Sequence, residues 1–269
     1  LTEQMGQQVV VDNRSGASGN IGTEMVANAP PDGYTLLIQT LPFVVNQFLL
    51  ARVPYDPVRD FAQVSLMTSS PSLVTVHPSV PARSIRELIA LAKAQPGKLN
   101  FGSGGTGAIT HMTGELFKLA AGVNIVHVPY KSIAPAITDL LAGRVQIMFE
   151  GMNSMAPHVK AGKLKGIALT SDKRISAFPD MPTMAESGLP GFDSTIWLGF
   201  FAPAATPRDV VMRLNREIVS IVQRPAVQEW LAQQGMDAVG NSPEEFGAFV
   251  RNETARYAEI IRKGNITAQ

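Results

Sequence analysis

The residues best placed to do chemistry run from Asn100 to His111: Asn100-Phe101-Gly102-Ser103-Gly104-Gly105-Thr106-Gly107-Ala108-Ile109-Thr110-His111. A short strand, expected over Lys98 to Phe101, leads into a glycine-rich turn. A helix expected from about Ala108 follows. Glycine lets the backbone turn sharply and approach a ligand closely. A helix start leaves unpaired N–H groups and a partial positive charge facing outward. Together these make a site for an anion, with the hydroxyls of Ser103 and Thr106 beside it.

Several chemistries fit this turn. Gly102 to Gly107 contains G-x-G-x-x-G between a strand and a helix, the pattern of a dinucleotide-binding turn. That reading wants an acid at the end of the next strand. The expected strand Asn124 to Val128 is followed instead by Pro129, Tyr130, Lys131 and Ser132. A tight turn with no ligand and a small-anion site are the other readings. A nucleophile elbow, G-x-S-x-G, is not matched, because Phe101 stands where its first glycine belongs. His111 is expected to pack or cap locally. His77, His127 and His158 are scattered without metal-ligand spacing, so no metal is expected. Met148, Met152 and Met155 read as core filler.

Two further places carry polar groups toward the same kind of crevice. Glu150 ends the apolar run Val145 to Phe149 and precedes Gly151; ends of parallel strands face the ligand crevice. A solvated loop acid is its other reading. Arg14 to Gly22 is a second Gly/Ser loop ending on a helix start, offering backbone donors at Ala17, Ser18, Gly19 and Asn20. A plain loop with an N-cap is the alternative. Gln39 and Thr40 end the strand that follows.

The elements that must position these groups alternate. Strands are expected over Gln8 to Asp12, Tyr34 to Gln39, Lys98 to Phe101, Asn124 to Val128, Val145 to Phe149 and Leu164 to Thr170. Helices are expected over Asn20 to Asn28, from the capping box Ser84-Ile85-Arg86-Glu87 to before Gly97, over Ala108 to Ala121 and over Ala134 to Leu141. Short apolar strands between helices argue for a parallel sheet covered on both faces. Gln63 to His77 and Phe192 to Ala202 are longer extended segments. After the second come helices over Pro207 to Gln223, Pro225 to Gln234 and Ser242 to Lys263, with one short strand, Met236 to Val239. Two long crossing segments around a complete α/β unit predict two lobes joined by a two-strand hinge. Lobe I is expected over 1–74 and 198–269, and lobe II over 75–197. A doubly wound lobe normally opens with a strand and a ligand loop. Here that first strand and its loop are expected to be missing from in front of Leu1.

A chain of 269 residues with 45% apolar and 17% charged residues is globular and long enough for two cores. Its formal net charge of +1 gives no general pull toward nucleic acid or an anionic membrane. An anion must therefore be held by local geometry. Cysteine is absent, which removes disulfides and thiolate chemistry. No apolar run nears the ~20 residues that span a bilayer.

Several segments together resemble the Bug family, the TctC-type binding proteins of tripartite tricarboxylate transporters. They are Val10-Val11-Asp12-Asn13-Arg14-Ser15-Gly16-Ala17-Ser18-Gly19-Asn20-Ile21-Gly22, Ala29-Pro30-Pro31-Asp32-Gly33-Tyr34-Thr35-Leu36-Leu37, Asp56 to Phe61, Pro96 to Ser103, His127 to Lys131, Ala161 to Lys165 and Phe178 to Gly188. The resemblance covers essentially the whole chain. It implies a type II periplasmic binding fold: two doubly wound α/β lobes that close on a small carboxylate. It also implies a periplasmic address, no catalysis, no cofactor, delivery of the ligand to membrane permease subunits, and a monomer with no nucleic-acid partner. A sensor that presents its closed form to a signalling partner would use the same fold; a nucleotide-dependent enzyme is the more distant alternative.

On that resemblance, Ser103, Gly104, Thr106, Gly107 and Ala108 match the second-lobe ligand loop. Many members have Ser where this chain has Ala108. Glu150 stands where Asp is usual. Specificity is expected from Gln39, Thr40, Ser69, Ser70, Glu150 and Trp197, with Glu150 disfavouring a second carboxylate beside it and hinting at a neutral or amino distal end.

Overall fold

The computed structural model describes residues 1–14, 16, 19–175 and 178–267. The chain divides into two compact units. Unit 1 holds Leu1–Ser69, Trp197–Ala232 and Met236–Arg262, and unit 2 holds Ser70–Ile196, Gln233–Gly235 and Lys263–Gln269.

In chain order the elements are α1 Thr2–Met5, α2 Asn20–Ala27, β1 Leu37–Gln39, α3 Pro42–Leu49, β2 Phe61–Val76, α4 Ile85–Ala94, β3 Asn100–Ser103, α5 Ile109–Ala121, β4 Val126–Pro129, α6 Ile133–Leu141, β5 Ile147–Gly151, α7 Met152–Lys160, β6 Lys165–Leu169, β7 Thr195–Pro203, α8 Arg208–Val222, α9 Pro225–Gln233, β8 Asp237–Ala238 and α10 Pro243–Gly264. None of these helices is long and apolar enough to cross a membrane.

In unit 2 the strand order is β6-β2-β5-β3-β4. β3 runs parallel to both neighbours, pairing Phe101 with Ile147 and Gly102 with Val128. β2 runs antiparallel to β5 and β6, pairing Val74 with Phe149 and with Ala168. The sheet is therefore mixed rather than wholly parallel. The helices α5 and α6 make crossovers that return strands in the same sense. β2 reaches the sheet from the far side of the chain and is under no such constraint. One face packs Phe101, Ile147 and Phe149 against Leu88 of α4 and Phe117 of α5. The other packs Leu73 and Met148 against Leu140 of α6 and Met152 and Met155 of α7. Apolar side chains on both faces give the continuous hydrophobic runs of a covered sheet.

In unit 1, β7 lies between β1 and β2, and β8 pairs antiparallel with β2 through Thr68 and Ser69. Phe43, Phe61, Phe201 and Tyr55 form one aromatic cluster, with Phe43 and Phe201 centroids 4.4 Å apart. α8 covers a second cluster through Val211, Leu214, Ile218 and Val222.

The expected strand over Gln8 to Asp12 does not form. Val10 and Val11 are 79% and 76% exposed, and no strand among the described residues pairs with them. A β-branched run without a ladder partner has nothing to hold it extended. The strand expected from Tyr34 is only Leu37–Gln39. Two helices were not foreseen. α3 opens on a proline and a short apolar run broken by Asn46 and Gln47, and α7 carries Pro157 in its interior. Glu87 N–H donates to Ser84 Oγ at 3.2 Å as the capping box requires, but the Glu87 carboxylate accepts from Arg83 N–H rather than from Ser84.

Candidate functional site

β3 delivers its turn at the C-terminal edge of the unit 2 sheet, where α5 begins. Gly105 and Gly107 have φ of +121° and +82°. That is the left-handed region, which a residue with a Cβ enters only at a cost. The turn is pinned from within by three side chains. Gly104 N–H donates to Thr110 Oγ1 at 3.0 Å, Gly105 N–H to Ser103 Oγ at 3.1 Å, and Gly107 N–H to His111 Nδ1 at 3.1 Å. Ala108 N–H donates to the Gly105 carbonyl at 3.2 Å.

Most of the amides expected to meet an anion are therefore engaged within the turn. Among the described residues, the N–H of Thr106, and beyond the expected set those of Ile109 and Thr110, have no protein acceptor. Ala108 is the N-cap of α5 and supplies no side-chain acceptor. The thirteen-residue helix thus keeps its first-turn donors and its dipole open. The open donors lie one step further along the chain than Ser103 and Gly104.

Ser103 is fully buried, and its hydroxyl lies 2.6 Å from His127 Nε2. His127 comes from β4 and stacks on His111 with centroids 3.9 Å apart and planes 15° apart. Phe101 stacks with both rings, its centroid 5.0 Å from that of His127 and 6.4 Å from that of His111. Burial pushes the His111 imidazolium down to about 3, helped by the neighbouring His127 and Lys118 charges. Burial, with Lys118, lowers His127 to about 4. Both rings are neutral at neutral pH. His111 accepts through Nδ1, which assigns its proton to Nε2. Glu115, 3.8 Å from that Nε2, pairs with Lys118 at 2.8 Å.

His127 is the residue that sequence reading missed. Its spacing to His111 has no helical or strand register, so only the parallel pairing of β3 with β4 brings the rings together.

Glu150 occupies the next-to-last position of β5, on the same face of the sheet as Met148. β3 and β5 run parallel with Gly102 opposite Met148, so Glu150 lies toward the same edge of the sheet as the end of β3. Burial raises the Glu150 carboxyl to about 7, against the lowering effect of Gly151 N–H and the Ser154 hydroxyl. Met148, Met152 and Met155 are buried in the core, as read from the sequence.

In unit 1 the candidates divide by what holds them. Ala17 and Ser18 lie outside the described residues. Gly19 has φ of +87° and caps α2. Asn20 is buried, and its Oδ1 accepts from Asn46 Nδ2 at 2.8 Å and from Tyr55 OH at 3.1 Å. Gln39 donates to Thr23 Oγ1 at 3.1 Å and accepts from Thr40 N–H at 3.0 Å. Asn20 and Gln39 knit α2 to β1 and α3, so their side chains are engaged inside the unit.

Thr40 and Trp197 are different. Thr40 Oγ1 and Trp197 Nε1 are buried polar atoms without a hydrogen-bond partner among the described residues. Trp197 is 1% exposed and packs edge-on against Phe249 at 5.5 Å. Buried donors are normally paired, and an orphaned one costs about 1–3 kcal/mol. Ser69 pairs with Asp237 across β2 and β8, and Ser70 is buried one residue on. Among the described residues no group of three or more His, Asp or Glu side chains is arranged to hold a metal.

Comparison with known proteins agrees with this architecture. Residues 1–266 match the model of the tripartite tricarboxylate transporter family receptor, TctC. The chain is 37% identical to protein BugT of Bordetella pertussis over 265 residues, covering 98% of this chain and 81% of BugT. Among solved structures, an R. palustris protein with adipate is 34% identical with a TM-score of 0.90, covering 100% of this chain and 90% of the other. The periplasmic binding protein BugD is 35% identical with a TM-score of 0.85 over 100% of this chain and 90% of BugD. The fold is thus the two-lobed α/β fold of these proteins, and the chain belongs to the TctC receptor family, the Bug-type periplasmic binding proteins.

Proposed function

We propose that this chain is a periplasmic, non-catalytic receptor that captures a small carboxylate and passes it to the permease of a tripartite tricarboxylate transporter. The observation that carries the proposal is the set of three open amides, Thr106, Ile109 and Thr110, at the uncapped start of α5. They sit in a turn whose other donors are engaged. Neutral donors suffice to hold a carboxylate, because each hydrogen bond to a charged group contributes about 1.5–3 kcal/mol. The adipate held by the R. palustris relative supports the ligand class.

Thr40 and Trp197 are the proposed unit 1 contacts, since each keeps a buried donor unpaired. Participation of both units in holding the ligand is part of this proposal and rests on the family resemblance. Binding in the monomer is likewise proposed. Ser103 is not offered as a nucleophile, because it is fully buried and its hydroxyl is held by His127.

The test is native mass spectrometry of gently purified protein, followed by thermal shift with a panel of small acids. A co-purified carboxylate and a reversible shift without turnover are expected. Binding of NAD(H) with no response to any acid would overturn the reading.

A further inference from the structure

The turn that opens α5 is closed by Ala108 N–H, which donates to the Gly105 carbonyl at 3.2 Å. Its third residue, Gly107, has φ of +82°, while Thr106 before it keeps an ordinary negative φ. A turn with positive φ at its third position alone is a type II turn. Its central peptide joins Thr106 to Gly107, and rotating that peptide converts type II into type I. Glycine accepts both signs of φ, so sterics do not fix the choice. Among the described residues one hydrogen bond does: Gly107 N–H donates to His111 Nδ1 at 3.1 Å. The Gly104 and Gly105 N–H groups are tied through Thr110 and Ser103 and lie outside this peptide.

The His111 ring is itself held from several sides. It is 3% exposed and belongs to the helix that the turn starts. It stacks on His127 with centroids 3.9 Å apart, and Phe101 lies parallel to it at 6.4 Å. His127 comes from β4 and meets Ser103 Oγ at 2.6 Å, so the stack is anchored to the last residue of β3, just ahead of the turn. The open amides flank the tied peptide, Thr106 before it and Ile109 and Thr110 after it.

We propose that His111 is a positioning residue for the anion site: its Nδ1 selects the type II form of the turn and so fixes the disposition of the open amides on either side, and His127 holds the ring in that place. Both histidines act through the turn rather than by touching the ligand. Donors fixed before the ligand arrives need no ordering on binding. Without the acceptor the turn divides between two forms, and affinity falls with the fraction that stays competent.

This role rests on the carboxylate function proposed above, and the test separates the two. Adipate, and the acid of the panel that wild type binds best, are titrated calorimetrically into wild type, His111→Phe and His111→Asn. Phe keeps a ring and removes the acceptor. Asn removes the ring and returns an oxygen near the position of Nδ1. His111→Phe is expected to bind about three- to tenfold more weakly, the value of one neutral hydrogen bond. His111→Asn is expected to recover most of that loss, although it leaves a hole beside His127 and Phe101 and melts below wild type. Affinity then follows the acceptor, whereas a merely structural role would make it follow the melting temperature. A folded His111→Phe protein with wild-type affinity, or an Asn variant as weak as Phe, would overturn the proposal and leave the carboxylate function standing. Should both variants fail to fold, NMR of isotope-labelled wild type decides. A scalar coupling between Gly107 N and His111 Nδ1 is expected in the free and the acid-bound protein, and its absence from the bound form would overturn the proposal. A wild type that binds no acid of the panel removes the carboxylate function and this role with it.

Discussion

His111 accepts the Gly107 N–H through Nδ1 at 3.1 Å, and so holds open the turn that begins its own helix. The imidazole can do this only while neutral. A protonated Nδ1 would present a hydrogen to the Gly107 hydrogen and push the turn apart. The ring stacked on it, His127, holds the other end of the turn through Ser103. The two histidines are positioning residues for the open amides beyond them.

Acid should therefore unfold this protein earlier than its carboxylates alone would. Both histidines have folded-state values below the ordinary one, about 3 and about 4. Between pH about 6.5 and those values the unfolded chain binds protons that the folded chain does not, so stability falls as pH falls. For His111 the loss is of order a few kcal/mol by about pH 3. Urea unfolding as a function of pH should show this limb, and the double variant His111→Phe, His127→Phe should flatten it. An unchanged slope in the double variant would show that neither ring is buried neutral.

Glu150 works in the opposite sense. Its folded value, about 7, lies above the ordinary 4.5, so its contribution to stability is full below about pH 4.5 and is lost as pH rises through 7. Glu150→Gln should remove that decline in ligand-free protein. Equal slopes between pH 4.5 and 7 in the two proteins would contradict the burial assigned to this carboxyl.

Gly114→Ala tests the floor of the site. An added Cβ would lie 2.2 Å from the Phe101 ring, which stacks under His127. Mid-helix Gly→Ala ordinarily stabilises by up to about 1 kcal/mol. Here overpacking should reverse the sign and destabilise by about 1–3 kcal/mol. Calorimetric melting decides between these directions, and a more stable Ala variant would mean that Phe101 moves freely.

Thr40→Val should separate binding from folding. Its hydroxyl has no partner among the described residues, so the nearly isosteric change leaves stability equal or up to about 1 kcal/mol higher. Ligand affinity should drop. A stability loss above about 1 kcal/mol with unchanged affinity would show that the hydroxyl is satisfied in the unliganded fold.

The sequence spelled out this architecture wherever a local signal was strong. The capping box at Ser84 and the Gly122 stop of α5 mark helix ends by side-chain and backbone chemistry that operates within a few residues. The glycine turn was visible for the same reason. What sequence did not reveal was which donors of that turn remain free. That depends on Thr110 and His111 folding back from the helix, and on His127 arriving from another strand. Gln8 to Asp12 failed as a strand because β-branched residues describe a preference, and pairing needs a neighbour. Glu150 was legible as a strand-end acid, but its protonation state depends on burial by α7 and β2, which no spacing encodes.

Ile109→Pro tests most directly whether the open amides of α5 hold a carboxylate. Proline is tolerated at the first position of a helix and removes one of the three N–H groups. The preceding Ala108 has φ −61° and ψ 153°, the extended conformation that a residue before proline adopts. The fold should therefore persist, with a melting temperature within a few degrees of wild type. Isothermal titration with the acid that wild type binds should show affinity weakened by about ten- to a hundredfold, the value of one hydrogen bond to a charge. Unchanged affinity in a folded Ile109→Pro protein would contradict the assignment.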